Sequence, residues 1–462
     1  MFQQRNPATG ETGDSFPELD ADAIEQRIAR AAAAYAEWRL TPVAERAALL
    51  SAIGDRFEAN RDRLAAIATF EMGKTLGSAK AEVDKCIAAF RHYAEHGPAM
   101  LEERRIDLGD GKAAAARWYP LGPVLAIMPW NFPYWQVVRF MAPTLLAGNV
   151  GLLKHASNVP GTAQAIEDMV REAGGADGLF QNLHIPSSAV GAIIDDPRVA
   201  AVTLTGSEGA GIQVAERAGR NLKKVVLELG GSDPFIVMPS ADIEQAARVA
   251  VTARIQNAGQ SCICAKRMIV HADVYDRFRE RFLAGMKAVR VGDPTADGTD
   301  MGPLSSEQGL KDIREQVERA KAAGATVSSV GDAPDGPGWY YPPTVLEDVP
   351  LDEEIAREEF FGPVAMLFRA ADIDEAIRIA NDVPFGLGSS IWTTDAAEQE
   401  RLTRDLEAGM VAINAMLASD PKAPFGGVKR SGHGRELSSH GLHEFMNLKT
   451  VMLDQASPAA TE

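Results

Sequence analysis

Apolar positions in the first hundred residues recur at the spacing of amphipathic helices. Ile24, Ile28, Tyr35 and Trp38 fall near one face of a helix that we expect to begin after Asp20. This part of the chain is therefore predicted to be helical.

Two further helices are predicted in the same region. Thr41 is a suitable N-cap for the second, with Pro42 at its first helical position. The third runs through AEVDKCIAAFRHYAEH, where Cys86 and Phe90 share a face. Cys86 is thus expected to act as a small buried hydrophobe.

From Gly122 the pattern changes to short, continuous apolar runs separated by helix-length segments such as GTAQAIEDMVREAGG. The runs are VLAIMP, VGLLK, VAAVTLTG, KKVVLELGG and PFIVM. Apolar strands that alternate with helices are typical of a parallel sheet covered on both faces. An α/β domain is therefore expected here.

A second series of the same kind follows Cys264. Its segments are KRMIVHADVYDRFRERFLAGM, TVLEDV, FGPVAMLFRA, IDEAIRIAND, GLGSSIWT and GMVAIN. This series predicts a second α/β domain. The C-terminal segment NLKTVMLDQASPAATE predicts one strand followed by a polar end.

Composition narrows the class of protein. With 462 residues, 46% of them hydrophobic, the chain is long enough for two or three domains. The net charge of -17 argues against nucleic acid or an anionic membrane as a partner. No apolar leader and no uninterrupted apolar window of spanning length is present. These features favour a cytoplasmic enzyme that acts on a small molecule.

The chain has three cysteines, Cys86, Cys262 and Cys264. So few cysteines, in an odd number, indicate no disulfide framework and a reducing compartment. No histidine lies near the close pair at zinc spacing, so no metal site is predicted.

Cys262 is the candidate nucleophile. It lies in NAGQSCIC, a segment of small residues between a predicted helix and a predicted strand. Such a connection can expose a thiol while its flanks hold it in place. On this segment alone, a buried structural role for both cysteines is equally plausible.

Two other segments supply groups that a thiol nucleophile requires. Asn131 lies between two prolines in PWNFPYW, where a restrained backbone can aim its amide at an oxyanion. Glu228 ends an apolar strand beside two glycines in VVLELGGSDP, a place where a carboxylate can serve as general base. The alternatives for Glu228 are a cap or a structural ion pair.

Taken together, seven motifs resemble the aldehyde dehydrogenase superfamily in order and spacing. They are PWNFP, LLKHAS, TLTGSEGAG, LELGGSDP, NAGQSC, EEFFGPV and PFGGVKRSG, and they extend over nearly the whole chain. Within that superfamily, NAGQSCICAKR and LLKHASNVP look like the NAD(P)-dependent succinate-semialdehyde dehydrogenase branch.

The resemblance implies a mechanism. Cys262 attacks the aldehyde, and Asn131 and the Cys262 backbone N–H hold the oxyanion. Hydride leaves for the cofactor, and Glu228 activates the water that hydrolyses the thioester.

The resemblance also implies the cofactor site. Lys154 and Ser157 would bind the adenosine ribose, and Gly206 and Ser207 the pyrophosphate at a helix N-terminus. Glu359 would bind the nicotinamide ribose. The remaining expected cofactor contacts are Trp130, Leu229 and Phe361.

NADP is expected to be favoured over NAD, with NAD use possible. NAD-preferring relatives often have Glu where this chain has Ser157, and a carboxylate there would repel a 2′-phosphate. The alternative is that Ser157 only leaves space, which would allow both cofactors.

A substrate carboxylate is expected to be bound by Arg139 and Ser419. Arg139 follows Asn131 by eight residues on a predicted helix, so both could line one tunnel. The second arginine that succinate-semialdehyde dehydrogenases can carry is replaced here by Gln256. Arg139 could alternatively be a structural ion-pairing residue.

The expected fold is α/β, with a Rossmann-like cofactor domain, an α/β catalytic domain and a small β oligomerisation flap. The predicted bounds are 1–106 and 120–228 for the cofactor domain, 229–435 for the catalytic domain, and 107–119 and 436–462 for the flap. A homodimer or homotetramer is implied.

Two other functions stay open. The chain could oxidise another aliphatic or amino aldehyde, or be a catalytically silent structural protein on this fold. A further expectation concerns regulation: in an extended Cys262-Ile-Cys264 segment the two thiols would share a side, making Cys264 a possible redox partner.

Overall fold

The computed structural model describes residues 1–453 of the chain. Its helices are Ala21–Trp38, Val43–Ala59, Arg61–Met72, Leu76–Met100, Trp135–Leu146, Pro160–Glu172, Val190–Asp195, Glu208–Arg220, Ile243–Ile255, Ala272–Lys287, Glu307–Ala322, Ile373–Asn381, Ala396–Asp405 and Ser438–Glu444.

The three helices predicted near the N-terminus are present. The first begins after Asp20, whose carboxylate accepts a hydrogen bond from the Ala23 N–H at 2.8 Å. The second begins one residue later than expected. Pro42 has ψ 144° and is itself the cap, so the predicted N-cap at Thr41 is wrong. Cys86 is fully buried, as predicted, in the helix Leu76–Met100, which is the fourth of the structure because the helix Arg61–Met72 precedes it.

A six-stranded sheet forms the first of two α/β layers. In spatial order its strands are Gly432–His433, Lys224–Glu228, Ala201–Thr205, Pro123–Met128, Val150–His155 and Phe180–Asn182. All are parallel except Gly432–His433, which pairs antiparallel with the Glu228 strand. The four predicted apolar runs between Gly122 and Gly231 are all strands of this sheet.

A seven-stranded sheet forms the second layer. Its strands, in spatial order, are Thr326–Ser329, Thr344–Glu347, Val364–Ala370, Ala265–His271, Asp233–Val237, Gly388–Trp392 and Met410–Ile413. Only the pairing of Thr326–Ser329 with its neighbour is antiparallel. Buried apolar clusters cover both faces, as a parallel sheet requires.

Three antiparallel strands form a separate small sheet: Met446–Leu453, Lys112–Pro120 and Arg104–Gly109. The C-terminal strand thus pairs with the 107–119 excursion, with Thr450 opposite Ala116. Leu437 and Leu442, by contrast, are buried in the cluster around the six-stranded sheet. The predicted polar end beyond residue 453 lies outside the described residues, and the domain bounds stay a prediction.

Two short antiparallel pairs complete the strands: Phe2–Arg5 with Thr12–Phe16, and Phe385–Gly386 with Val428–Lys429. Among residues 1–453, no helix has the length and apolar character needed to cross a membrane.

Candidate active site

Most of the predicted site residues follow the carboxyl ends of the six-stranded sheet. Four parallel strands end there, at Met128, His155, Thr205 and Glu228. Because parallel strands have their carboxyl ends at one edge, the segments that follow them converge, and ligands of α/β sheets bind at such an edge. Trp130, Asn131, Ser157, Gly206 and Ser207 all lie just beyond this edge.

The segment before Cys262 has an unusual backbone. Asn257 and Ala258 both have φ of 55° and Gly259 has φ of 74°, three left-handed residues in a row. For the two non-glycine residues this costs about 1 kcal/mol or more each. A side chain at Gly259 would collide with the carbonyl of Gly362. The surrounding structure must therefore hold this segment in place.

Hydrogen bonds from both sheets supply that restraint. Asn257 Nδ2 donates to the Asn131 carbonyl at 2.7 Å, and Asn131 Nδ2 donates to the Gln260 carbonyl at 3.1 Å. On the other side, Arg254 Nη2 donates to the carbonyls of Gly259 and Gly362. The Cys262 loop is thus tied to both sheets.

Cys262 itself is half-buried, and four charged groups act on it: Arg139, Lys266, Glu359 and Asp233. Burial raises the pKa of the Cys262 thiol to about 12, while the positive charges of Arg139 and Lys266 act in the opposite direction. Lys266 Nζ donates to the carbonyls of Ser261 and Cys262 at 2.8 and 2.7 Å. The free thiol is therefore protonated near neutral pH, with two cations placed to stabilise its thiolate.

Glu228 is buried, with 2% of its surface exposed. Burial raises its pKa well above the usual value, as does the nearby carboxylate of Glu436, while Arg139 lowers it. Neither carboxylate oxygen has a hydrogen-bond partner within residues 1–453. Glu228 is thus a desolvated carboxyl group that is free to accept a bond, as a general base requires.

A cavity of about 180 Å³ opens beside Cys262. Arg139, Ser419 and Gln256 line it together with Cys262. The structure therefore brings the predicted nucleophile and both predicted carboxylate-binding residues to one cavity.

Asn131 and Glu228 are not part of this cavity's wall. The expectation that Asn131 and Arg139 line one tunnel is wrong, because Asn131 precedes the helix Trp135–Leu146 and its amide lies against the Cys262 loop. One Asn131 N–H is bonded to Gln260, which leaves the other for an oxyanion.

Arg139 is not a free cation. It forms an ion pair with Glu436, and Nη2 also lies 3.3 Å from Thr205 Oγ1. This is the structural pairing that the sequence left as an alternative. Its contact with a substrate carboxylate stays a prediction.

Lys85, Glu436 and Lys266 were missed by the sequence reasoning. Glu436 and Lys266 are distant charged partners that no local pattern marks. For Lys85 a signal exists: Ser78, Glu82 and Lys85 lie at i, i+4 and i+7, which places three polar residues on one face of the helix, and all three line the cavity.

The predicted pyrophosphate residues lie at a free helix N-terminus. Ser207 is the N-cap of Glu208–Arg220, and its hydroxyl accepts from the Ala210 N–H at 3.4 Å. Gly206 is half-buried and Ser207 exposed. Free N–H groups at such a terminus favour an anion.

A second cavity, of about 460 Å³, lies beside this helix. Lys154, Ile127, Leu204 and Val214 are among its lining residues. Lys154 Nζ donates to the His155 carbonyl at 2.9 Å, and Ser157 is exposed just beyond the same strand end. The space is apolar on one side and cationic on the other, which suits an adenosine.

Glu359 lies beside Lys266 and Gly230. Its carboxylate is 3.1 Å from Lys266 Nζ, and a side chain at Gly230 would collide with it. Gly230 therefore has to be a glycine for Glu359 to take this position.

The apolar residues predicted to contact the cofactor are close to these groups. Trp130 and Phe361 pack edge to face, with ring centroids 5.8 Å apart. Leu229 is buried against Gly211, where a side chain would collide with it.

Cys262 and Cys264 are both free thiols, and the geometric premise for their pairing is wrong. The segment is a turn rather than extended, because the Cys264 N–H donates to the Ser261 carbonyl at 3.1 Å. Cys264 is fully buried, with Sγ 3.7 Å from the Gln256 carbonyl. Its role as a redox partner stays a prediction.

Comparison with known sequences gives one consistent result. Residues 1–451 match the model of the aldehyde dehydrogenase family. The chain is 56% identical to the succinate-semialdehyde dehydrogenase [NADP(+)] 1 of Mycobacterium tuberculosis over 450 residues, 97% of this chain and 98% of that protein. It is also 56% identical to the Mycobacterium avium succinate-semialdehyde dehydrogenase [NADP(+)], covering 97% and 96% of the two chains.

Solved structures are similar over the same extent. The succinic semialdehyde dehydrogenase from Streptococcus pyogenes, in complex with NADP+, superposes with a TM-score of 0.95 at 38% identity, covering 98% of this chain and all of that one. The succinate-semialdehyde dehydrogenase from Burkholderia pseudomallei has a TM-score of 0.94 at 36% identity, over 98% and 94% of the two chains.

Proposed function

The chain belongs to the aldehyde dehydrogenase family, and on that premise we propose that it oxidises succinate semialdehyde to succinate with NADP+. One observation carries the proposal: the thiol of Cys262 and two residues suited to a carboxylate, Arg139 and Ser419, line a single small cavity. A substrate with an aldehyde at one end and a carboxylate at the other matches that arrangement.

Cys262 is the proposed nucleophile. Its raised pKa means that attack on the aldehyde requires loss of the thiol proton, and Arg139 and Lys266 stabilise the thiolate that results. The second N–H of Asn131 and the Cys262 backbone N–H stabilise the oxyanion. Collapse of the oxyanion would re-form the carbonyl and release the hydride of the former aldehyde carbon to the bound dinucleotide, leaving a thioester on Cys262.

Glu228 is the proposed base for hydrolysis of that thioester. Neither of its carboxylate oxygens has a hydrogen-bond partner in the described part of the chain, and Arg139 opposes the burial that raises the pKa of Glu228. In the ionised form it can remove a proton from water as the water attacks the thioester carbon. Hydrolysis returns Cys262 to the free thiol.

The residues at the carboxyl edge of the six-stranded sheet fit a dinucleotide. Gly206 and Ser207 lie where the phosphates would meet the N-terminus of the helix Glu208–Arg220; the Gly206 N–H itself donates to the Glu228 carbonyl at 3.0 Å, so the N–H groups that follow it are the proposed donors. The cavity at Lys154 would accept the adenosine, and Glu359 would accept from ribose hydroxyls. Trp130, Leu229 and Phe361 provide the apolar surroundings. When bound, NADP+ supplies the hydride acceptor of the reaction.

Preference for NADP+ is proposed to depend on Ser157. It is exposed and uncharged, so it adds no repulsion to a 2′-phosphate, and Lys154 lies three residues before it. The ratio of kcat/KM for NADP+ to that for NAD+ should exceed one for the wild type. Ser157→Glu should reverse it; a wild-type preference for NAD+ would remove this proposal.

Arg139 and Ser419 are proposed to attract and bind the substrate carboxylate. If so, Arg139→Ala should reduce kcat/KM for succinate semialdehyde more than for butyraldehyde, which has no carboxylate. Equal losses of kcat/KM for both aldehydes would contradict the carboxylate role and would show that Arg139 has only its structural role in the ion pair with Glu436.

The protein is proposed to be a cytoplasmic homodimer or homotetramer. All three of its cysteines are free, which suits a reducing compartment. Leu108, Leu448 and Met452 are exposed on the three-stranded sheet, which suits an interface between copies. Light scattering after gel filtration would measure the mass, and a monomer would contradict the proposal.

A panel of aldehydes, each with both cofactors, tests the function as a whole. Reduced-cofactor absorbance should appear with succinate semialdehyde at the highest kcat/KM. A higher value for an aliphatic or amino aldehyde would replace the substrate and keep the enzyme class. No absorbance with any aldehyde would indicate a catalytically silent protein.

A further inference from the structure

Lys85 is a cation in the wall of the Cys262 cavity. It projects from the helix Leu76–Met100, and its Nζ lies 2.7 Å from Ser419 Oγ and 4.4 Å from the centre of the Trp135 ring. It therefore lies in the same small space as the proposed nucleophile.

This cation has no carboxylate partner. Within residues 1–453, no acidic oxygen lies within the 4.0 Å limit of an ion pair from Lys85 Nζ. The nearest acidic side chain of the helix, Glu82, is already neutralised, because it pairs with Lys74 and accepts from the Tyr134 and Trp135 backbone N–H groups. Lys85 is thus a half-buried charge whose direct contacts are a hydroxyl and a ring, while the Asp420 and Glu82 carboxylates act on it from beyond ion-pair distance.

Arg139, the other cation of the cavity wall, differs in this respect. Its charge is balanced by the Glu436 carboxylate in a contact where both side chains are at most 6% exposed. A substrate anion that approached Arg139 would have to compete with Glu436. Within residues 1–453, no carboxylate pairs directly with Lys85, and Asp420 acts on it only from beyond ion-pair distance.

The hydrogen bonds of Ser419 determine in which direction its hydroxyl can bond. Its Oγ accepts two hydrogen bonds, from Lys85 Nζ at 2.7 Å and from Trp135 Nε1 at 3.0 Å. A hydroxyl has two acceptor sites and one proton. Both acceptor sites are occupied, so the remaining function of Ser419 is to donate its proton to an acceptor in the cavity.

We propose that Lys85 is a specificity-determining residue: its ammonium pairs with the carboxylate of the substrate while the Ser419 hydroxyl donates to the same group. This inference rests on the proposed function and adds Lys85 to Arg139 and Ser419, because Lys85 can pair with the carboxylate without competition from Glu436. Gln256 lines the same cavity and is uncharged, so it cannot supply that pair. Arg139 contributes attraction at longer range.

The chemistry at Lys85 favours the same conclusion. Burial and the positive charge of Arg139 lower the pKa of Lys85 to about 8. A carboxylate beside Nζ would relieve both effects, because it compensates the desolvated charge directly. Charge-assisted bonds of this kind are roughly twice as strong as neutral ones.

Lys85→Met tests the proposal, because methionine keeps most of the length and removes the charge. KM for succinate semialdehyde should rise at least tenfold, while kcat/KM for butyraldehyde stays within about threefold of the wild type. Lys85→Arg should keep most of the preference for succinate semialdehyde. Lys80→Met is the matched control: Lys80 lies on the same helix but pairs with Asp62 at 3.0 Å outside the cavity.

The outcomes separate the two proposals. If the wild type prefers succinate semialdehyde and Lys85→Met loses that preference, both stand. If Lys85→Met keeps the preference, or loses activity equally with both aldehydes, the role of Lys85 is overturned and the proposed function stands. A wild type that uses both aldehydes equally overturns the proposed substrate, and with it the inference.

Discussion

Arg139 and Glu436 form an ion pair inside the protein, with side-chain exposures of only 2% and 6%. Arg139 comes from the helix after the first sheet strand, and Glu436 from the segment before the C-terminal helix. Burial raises the pKa of Glu436, and Arg139 acts against that rise. Because Glu228 is affected by both charges, this pair controls the electrostatics of the proposed general base.

Removing one member of this pair should destabilise the fold. Arg139→Met leaves Glu436 buried without its paired cation and removes one of the two cations that act on Glu228. Breaking a buried pair typically costs about 3–5 kcal/mol. The loss is measured as a shift in the urea unfolding midpoint. The double variant Arg139→Met/Glu436→Met should regain much of it, since Glu436 is no longer buried without a partner and its repulsion of Glu228 is removed as well. A single variant as stable as the wild type would contradict this view of the pair.

Cys262→Ala should abolish aldehyde oxidation while cofactor binding stays near normal, because only the nucleophile is removed. Cofactor binding is followed by fluorescence titration, and turnover by reduced-cofactor absorbance. Cys86→Ala is the control, since Cys86 is buried in the helix Leu76–Met100 and should retain activity. Turnover by Cys262→Ala above about 1% of wild type would exclude the assignment.

Glu228→Gln should leave the first half of the reaction intact and slow the second. A glutamine cannot take a proton from water, so the thioester accumulates after an initial burst of reduced cofactor. Stopped-flow absorbance reveals the burst. Glu307→Gln, an exposed surface change, should give linear progress. If Glu228→Gln shows linear turnover at the wild-type rate, Glu228 is not the base that activates water for hydrolysis.

The preference for a carboxylate-bearing aldehyde should depend on pH. Lys85 has a pKa lowered to about 8 and is affected by Arg139, Cys86, Glu82 and Asp420. As pH rises through that value the ammonium is lost, so the ratio of kcat/KM for succinate semialdehyde to that for butyraldehyde should fall.

Groups whose titration changes kcat/KM for both aldehydes by the same factor, including the Cys262 thiol, do not change this ratio. In Lys85→Met the ratio should be low and independent of pH. A wild-type ratio that stays constant from pH 6 to 10 would show that Lys85 does not select the substrate.

Mild peroxide is expected to inactivate the wild type reversibly through a Cys262–Cys264 disulfide. Because Cys264 is fully buried in a turn, the bond requires the turn to open, so it should be strained and readily reduced. Dithiothreitol should restore activity in the wild type, whereas Cys264→Ala should lose it irreversibly. Equal recovery in both proteins would rule the switch out.

The sequence was most informative where a single local rule determines the structure. The helix after Asp20 follows from its apolar spacing and cap, and the four strands that end at the site follow from continuous apolar runs. The convergence of Asn131, Gly206 and Glu228 then follows from parallel topology alone. The relatives named above support the family that these motifs indicated.

The remaining features depend on contacts between distant residues. Asn257 and Ala258 are left-handed although neither is glycine, because partners such as Asn131 and Gly362 impose that backbone. The extended geometry expected for Cys262 and Cys264 was wrong for the same reason: the turn there depends on contacts that the local sequence does not show. The pairing of Arg139 with Glu436 likewise joins residues nearly three hundred positions apart, and no periodicity encodes it.

Because of the left-handed segment before Cys262, activity requires that both sheets have folded. Its restraints come from Asn131, beyond the first sheet, and from Gly362, just before a strand of the second. A chain in which only one sheet has formed lacks half of these restraints and relaxes towards ordinary backbone angles. The nucleophile is therefore set only when both sheets are in place, and a partly folded chain remains inert towards aldehydes.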